Sequence, residues 1–400
     1  MKANDVPALY GGKAIRDAYL PYGRQWIDDQ DIEAVTAILK SDWITTGPTI
    51  LKFEKAMAAY VGAKYAVAFS SGTAALHASC FAAGIKDGDE VITTPMTFAA
   101  STNCVLYQGG KPVFADIDPK TYNLSPQSIK PLINEHTKAI IAVDYTGNPA
   151  AYDQIMSLAN EHGLIVISDA AHALGAVYKG RKIGAIADMT AFSFHPVKHI
   201  TTGEGGMVVT NDASYYEKLI SFRNHGITRD PIKMKRQDEP WYYEMQALGF
   251  NYRMTDIQAA LGLSQLNKLP TFLEKRRTYA EKYTQAFKNL KAVITPTVQS
   301  DSESSWHIYV IRLDLSRLKA SRLEIFQALQ KENIGVNVHY IPVYLHPYYQ
   351  ELGYPQGLCP QAERLYQEII TLPLFPAMSE QDCDDVIAGV KKILAYYSID

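Results

Sequence analysis

Between about residue 50 and residue 250, short runs rich in β-branched residues alternate with segments long enough for helices. Parallel strands joined by crossover helices produce that alternation, and few other architectures can absorb it. Seven strands are expected, at Tyr65 to Phe69, Glu90 to Thr94, Lys111 to Ala115, Lys138 to Val143, Ile165 to Ser168, Met189 to Phe194 and Gly206 to Val209. Before and between them, Thr49 to Tyr60 and Thr73 to Ala83 carry apolar residues three and four apart, the helical period. The expected fold is therefore α/β, a doubly wound, mostly parallel seven-stranded sheet. After Asn251 the pattern changes to one long helix, Thr255 to Asn289, then strands near Ser305 to Leu313 and Gly335 to Tyr340, with helices around Ser321 to Glu332 and Ser379 to Tyr397. A chain of 400 residues exceeds what one core usually supports. The sequence thus reads as a large domain over residues 1–255 and a smaller α+β domain over residues 256–400.

Composition narrows the partners. Lys+Arg 39 against Asp+Glu 42 leaves a formal net charge of -3, and no basic block suits a phosphate backbone, so nucleic acid is not an expected partner. No apolar run approaches the roughly 20 residues that cross a bilayer, and the start, Met1 to Val6, carries no apolar signal-peptide core, so no membrane contact is expected. Cys80, Cys104, Cys359 and Cys383 lie far apart without metal-ligand spacing, which fits reduced, packed thiols in a cytoplasmic protein and no metal site.

Chemistry concentrates in a few short segments. Lys198 closes the run Phe192-Ser193-Phe194-His195-Pro196-Val197 ahead of Thr202-Gly203-Glu204-Gly205-Gly206. A lysine in such apolar, glycine-rich surroundings is poorly solvated, which favours the neutral amine that attacks aldehydes. Asp169 ends the apolar run Leu164 to Ser168, where an open parallel sheet presents groups to a ligand. A carboxylate there suits the ring nitrogen of pyridoxal phosphate (PLP), although a helix N-cap would also explain it. Asp169 precedes Lys198 by 29 residues, room for one more strand between two neighbouring strand ends. His172, three residues after Asp169, would face the same way and reach a phenolate oxygen. Ser70-Ser71-Gly72-Thr73 joins a strand to a helix, and the free N–H groups of a helix start favour a phosphate, making Gly72 and Thr73 candidate ligands. Ser193 offers a further hydroxyl, and Phe98, just after the Glu90 to Thr94 strand, offers a ring to stack on the cofactor.

Together, Ser71-Gly72-Thr73-Ala74-Ala75-Leu76, Asp169-Ala170-Ala171-His172, Ser193 to Lys198 and Gly203-Glu204-Gly205-Gly206 resemble the sugar-nucleotide aminotransferases of the fold type I PLP enzymes, the DegT/StrS-like family. The resemblance extends to Ser41-Asp42-Trp43-Ile44-Thr45-Thr46-Gly47-Pro48, Gly249 to Met254 and Leu372 to Ser379, so it covers nearly the whole chain. It implies that Lys198 is the Schiff-base lysine, with Asp169 at the pyridine nitrogen, His172 near the phenolate oxygen and Phe98 on the ring. Gly72, Thr73 and Ser193 match phosphate-site positions. By the same resemblance Asn251 reaches the phosphate from the neighbouring subunit of a homodimer, while Trp43, Tyr145 and His339 contact substrate.

The stretch Val143-Asp144-Tyr145-Thr146-Gly147-Asn148-Pro149, together with Ser193 to Gly206, looks like the branch that makes the pseudaminic acid precursor. That branch moves the amino group of glutamate to C4 of a UDP-linked 4-keto-6-deoxy-N-acetylhexosamine. A spore-coat polysaccharide type shares much of the C-terminal pattern, including His339-Tyr340-Ile341-Pro342-Val343 and His346-Pro347-Tyr348-Tyr349-Gln350. A PLP-dependent sugar dehydratase of the same fold is disfavoured, because such relatives carry histidine where this chain has Lys198. A non-enzymatic sensor is disfavoured by the intact set of Lys198, Asp169 and His172.

Overall fold

A seven-stranded sheet lies at the centre of the larger layer: β1 (Tyr65–Phe69), β2 (Glu90–Thr93), β3 (Lys111–Phe114), β4 (Thr137–Val143), β5 (Ile165–Asp169), β6 (Met189–Ser193) and β7 (Gly206–Thr210). The computed structural model describes residues 6–236 and 239–399. Met1 to Asp5, part of the segment read for a signal peptide, lie outside the described residues. The strands stand in the order β1-β7-β6-β5-β4-β2-β3. β7 runs antiparallel to both neighbours and all other pairings are parallel. Each strand lies within one residue of its expected limits. Runs such as Ala139-Ile140-Ile141-Ala142 are wholly buried, as a sheet covered on both faces requires.

The helices begin and end where their caps dictate. α1 (Asp29–Leu39) opens with a capping box between Asp28 and Asp31. α2 (Pro48–Val61) has proline at its first position and stops at Gly62, whose φ of 79° is open to glycine at little cost. α3 (Gly72–Ala82) is capped by Ser71, whose hydroxyl accepts from the Ala74 N–H at 3.1 Å. α4 (Ala100–Leu106) follows β2. The long α5 (Asp256–Phe287) carries Pro270 inside it and passes between two apolar cores. Its Leu266, Leu269 and Phe272 join the core that covers one face of the large sheet, whereas Tyr279, Tyr283 and Phe287 join the second core.

That second core surrounds a three-stranded antiparallel sheet of β8 (Val293–Ile294), β9 (Tyr309–Leu313) and β10 (Ile369–Leu372), with α6 (Arg322–Lys331) and α7 (Glu380–Tyr397) packed on it. Leu20, near the other end of the chain, is buried in the same core. One expectation is corrected here. Gly335 to Tyr340 is not a strand: only Asn337 pairs, exchanging backbone hydrogen bonds with Thr371 of β10. The strand beside β9 is β10, a segment not anticipated as a strand. Gly335 is held off the sheet by a backbone hydrogen bond to the Leu20 carbonyl at 2.7 Å, and the residues after it turn towards a cavity. Among the described residues no helix is long and apolar enough to cross a membrane.

Candidate active site

The carboxyl ends of β5 and β6 and the start of α3 open onto one cavity of about 610 Å³. Eight residues singled out from the sequence line it: Gly72, Thr73, Phe98, Asp169, His172, Ser193, Lys198 and His339. Register explains the convergence. Asp169 lies opposite Ala191 of β6, and Gly206 pairs with both Ser193 and Phe69, so β7 draws the end of β1 towards the end of β6.

The Lys198 loop is tied at several points. Phe194 N–H donates to the Gly205 carbonyl at 2.9 Å, Thr202 N–H to the Phe194 carbonyl at 3.0 Å, and Lys198 N–H to the His195 carbonyl at 2.9 Å. Burial pushes the Lys198 amine down to about 8, against the pull of Asp169 in the other direction. Asp169 is buried, and burial raises its carboxyl, opposed by hydrogen bonds from the Ser101 hydroxyl and the Ala171 N–H and by the charge of Lys198. Those two bonds measure 2.5 Å and 3.1 Å. Ser101 is itself joined to Thr97 Oγ1 at 2.6 Å, so α4 supports the acid from behind. His172 Nε2 lies 3.0 Å from the Tyr340 hydroxyl, and burial followed by the nearby Lys198 charge holds its ring well below the usual histidine range. Phe98 is 64 % exposed for a large aromatic, with its ring centroid 6.4 Å from that of Tyr340 across the cavity mouth. Burial brings His339 down to about 4, and its Nδ1 lies 2.9 Å from Thr371 Oγ1.

Two glycines make room for the cradle beside α3. A Cβ on Gly72 would stand 2.9 Å from Ser193 Cβ, and one on Gly206 only 2.3 Å from the Ser71 carbonyl oxygen. The second obstacle is backbone and cannot swing aside. Gly206→Ala is therefore expected to destabilise the protein by about 1–3 kcal/mol, read as a lowered urea midpoint. An unchanged midpoint would show that the strand can shift freely. With Ser71 occupied by the Ala74 N–H, the first-turn N–H groups of Gly72 and Thr73 remain available to an anion beside Ser193 Oγ.

Three sequence-predicted positions lie off the cavity wall. Tyr145 is buried, and its hydroxyl donates to the His339 carbonyl, so it supports a cavity residue and does not face the cavity. Trp43 is 56 % exposed and Asn251 is exposed, and neither lines the cavity of its own chain. Asp144, beside Tyr145, is also structural: its carboxylate accepts from the Ala150 N–H and the Tyr152 and Ser168 hydroxyls, and burial pushes it up to about 7. Conversely, Tyr22, Thr97, His195, Glu204, Asn337 and Tyr340 line the cavity without having been singled out. His195 and Glu204 sat inside quoted motifs, whereas Tyr22 lies in an N-terminal stretch with no local signal.

The residues present fit PLP: a carboxylate for the ring nitrogen, an amine with a lowered pKa, an exposed ring beside them, and a helix start that glycine opens to a phosphate. The fold is that of the PLP-dependent sugar aminotransferases. The chain belongs to the DegT/DnrJ/EryC1/StrS aminotransferase family, whose model matches residues 25–391. It is 42% identical over 381 residues to the spore coat polysaccharide biosynthesis protein SpsC of Bacillus subtilis, covering 95% of this chain and 98% of that one. Among solved structures it is similar to Helicobacter pylori PseC, an aminotransferase involved in the biosynthesis of pseudaminic acid, at 34% identity and a TM-score of 0.88 over 95% of this chain and 100% of that one. It is also similar to Spr1654 of Streptococcus pneumoniae in its PLP form, at 31% identity and a TM-score of 0.88 over 94% of this chain and 99% of the other.

Proposed function

We propose that this sugar aminotransferase acts on nucleotide-linked sugars, moving the amino group of glutamate to C4 of a UDP-linked 4-keto-6-deoxy-N-acetylhexosamine, as in the making of pseudaminic acid. The observation that carries the reading is the meeting of Lys198, Asp169, His172, Phe98 and the Gly72–Ser193 cradle on one cavity. The likeness to PseC supports the sugar. The higher identity to SpsC favours a second reading, a spore-coat polysaccharide type with another nucleotide sugar as substrate. Glutamate offered with a panel of UDP- and dTDP-linked keto sugars, with the new amine located by NMR, separates the two. Turnover confined to dTDP or 3-keto substrates would overturn the first reading and spare the aminotransferase.

In this reading each side chain has one task. Bound PLP supplies an electron sink for the negative charge left when a proton departs. Lys198 Nζ would take that proton from the amino-bearing carbon of the donor and deliver it to the cofactor carbon, and carry one the opposite way to the sugar, which an amine lowered to about 8 does in both directions. Asp169 keeps a proton on the ring nitrogen, and the Ser101 hydroxyl and Ala171 N–H keep its carboxylate aimed. Phe98 covers one face of the ring and excludes water. The Gly72 and Thr73 N–H groups and Ser193 Oγ bind the phosphate, and His172 meets the phenolate oxygen. His339 contacts the sugar, with Tyr145 acting through it. Trp43 contacts substrate, and Asn251 serves from the neighbouring subunit of a cytoplasmic homodimer, each subunit divided into domains 1–255 and 256–400.

Because the Lys198 amine titrates at about 8, capture of PLP by the cofactor-free protein has a defined pH profile. Below that value the charged form dominates and cannot attack, so the rate should rise about tenfold per pH unit. Above it the amine is neutral and the rate should level off. Absorbance after rapid mixing measures this, and a flat profile from about pH 6 to pH 9 would contradict the lowered amine.

A further inference from the structure

Behind the cavity wall three imidazoles stand in a row. His172 reaches the cavity, His307 packs against it with ring centroids 4.3 Å apart, and His199 lies 5.6 Å from His307. All three are buried, and each leaves its Nδ1 buried without a hydrogen-bond partner among the described residues. Burial holds all three rings well below the usual histidine range, so the row is uncharged and stacks without repulsion.

His307 is far from His172 in sequence, and the backbone that delivers it is held under constraint. Trp306 has φ of 50°, in the left-handed region. For a residue with a side chain that conformation is strained and persists only where surroundings enforce it. The enforcement is visible on both sides of Trp306. Ser305 N–H donates to the Gly147 carbonyl at 3.0 Å, His307 N–H to the Thr146 carbonyl at 2.9 Å, and Ser305 Oγ to the carbonyl of His172 itself at 2.9 Å. Ser305 also accepts from His199 Nε2 at 3.1 Å. Below, the buried Arg276 of α5 donates to the carbonyls of Trp306, His307 and Leu374 at 3.3, 2.9 and 2.8 Å. The clamp thus holds the backbone on both sides of Trp306 and fixes where the His307 ring is delivered.

We propose that His307 is a positioning residue of the aminotransferase reaction: its ring wedges against His172 and sets the angle at which His172 Nε2 meets the Tyr340 hydroxyl, 3.0 Å away. The contact works through ring packing, since His307 Nδ1 has no hydrogen-bond partner among the described residues. It ties the strand β9, which His307 closely precedes, to the face of the cavity where His172 stands. The proposal rests on the role read above for His172 beside the cofactor.

The test uses the PLP-loaded enzyme with four variants: His307→Ala, His307→Phe, His172→Asn and the double variant His172→Asn with His307→Ala. His307→Ala should lower kcat by about tenfold to a hundredfold, leave KM for the sugar nearly unchanged, and move the visible absorption of bound PLP. His307→Phe, which keeps a ring, should recover most of kcat and the original spectrum. The double variant should be no slower than His172→Asn alone, because the two residues act as one unit. Should the alanine variant fail to fold, His307→Leu fills a similar volume and is read in the same way. Three results would overturn the proposal alone: normal kcat and spectrum in a folded His307→Ala, equal loss in the Ala and Phe variants, or losses that multiply in the double variant. A His172→Asn enzyme with normal rate and spectrum would overturn the role of His172, and the proposal with it.

Discussion

Replacing Lys198 with alanine should lower turnover by roughly four orders of magnitude and abolish the visible absorption that PLP acquires on joining the protein. The size follows from two losses at one atom. In the proposed mechanism the chain loses both the nucleophile that would capture the cofactor and the group that would carry the proton between substrate and cofactor carbons. No neighbour substitutes well. His195 and Glu204 line the cavity, yet the loop ties from Phe194 to Gly205 and from Thr202 to Phe194 hold the segment in a shape that presents residue 198. Alanine is small and the loop bonds are made by backbone, so the variant should fold, which thermal melting checks. Turnover within about tenfold of the parent would remove Lys198 from the mechanism.

Asp169→Asn should cost about two to three orders of magnitude in kcat with a modest change in KM. The amide keeps the shape and can still meet the Ser101 hydroxyl, which now stands 2.5 Å from the carboxylate. What it lacks is the charge that holds a proton on the ring nitrogen, and that proton matters most when negative charge builds on the ring. Burial raises Asp169, so the site already disfavours a lone carboxylate. The charge of Lys198 opposes that cost, and in the proposed site the ring nitrogen's proton would relieve it further. The asparagine variant should therefore keep its fold and still take up PLP. A variant within about fivefold of the parent rate would assign Asp169 to the capping of Ala171 and nothing more.

The sheet was legible because each strand is a short β-branched run between turn residues, and such runs have one stable destination in an alternating chain. The Gly335 to Tyr340 segment shows the limit. Its composition is that of a strand, but its neighbours Leu20 and Thr371 come from opposite ends of the chain, and only their approach decides that it borders a cavity. The site divides in the same way. Gly72, Asp169, His172, Ser193 and Lys198 are readable because each belongs to a strand-end segment with its own local chemistry. Tyr22 and Asn337 reach the cavity, and His307 reaches the back of its wall, only through tertiary packing, and no spacing in the sequence announces them. Tyr145, read as a substrate contact, turns inward beside its strand end. Its hydroxyl found the His339 carbonyl, not the cavity.

The position of β7 has a consequence for how the chain comes to be folded. β1 stands at the edge of the sheet and has β7 as its neighbour, with Phe69 facing Gly206, a separation of 137 residues. During synthesis the helix start that would hold a phosphate is therefore made early and left without its opposite wall until the chain has grown past Thr210. Non-local pairing of this kind is slow and leaves an unpaired strand exposed in the interval. In the proposed site, competence to retain the cofactor would therefore wait on the pairing of β7 with β1.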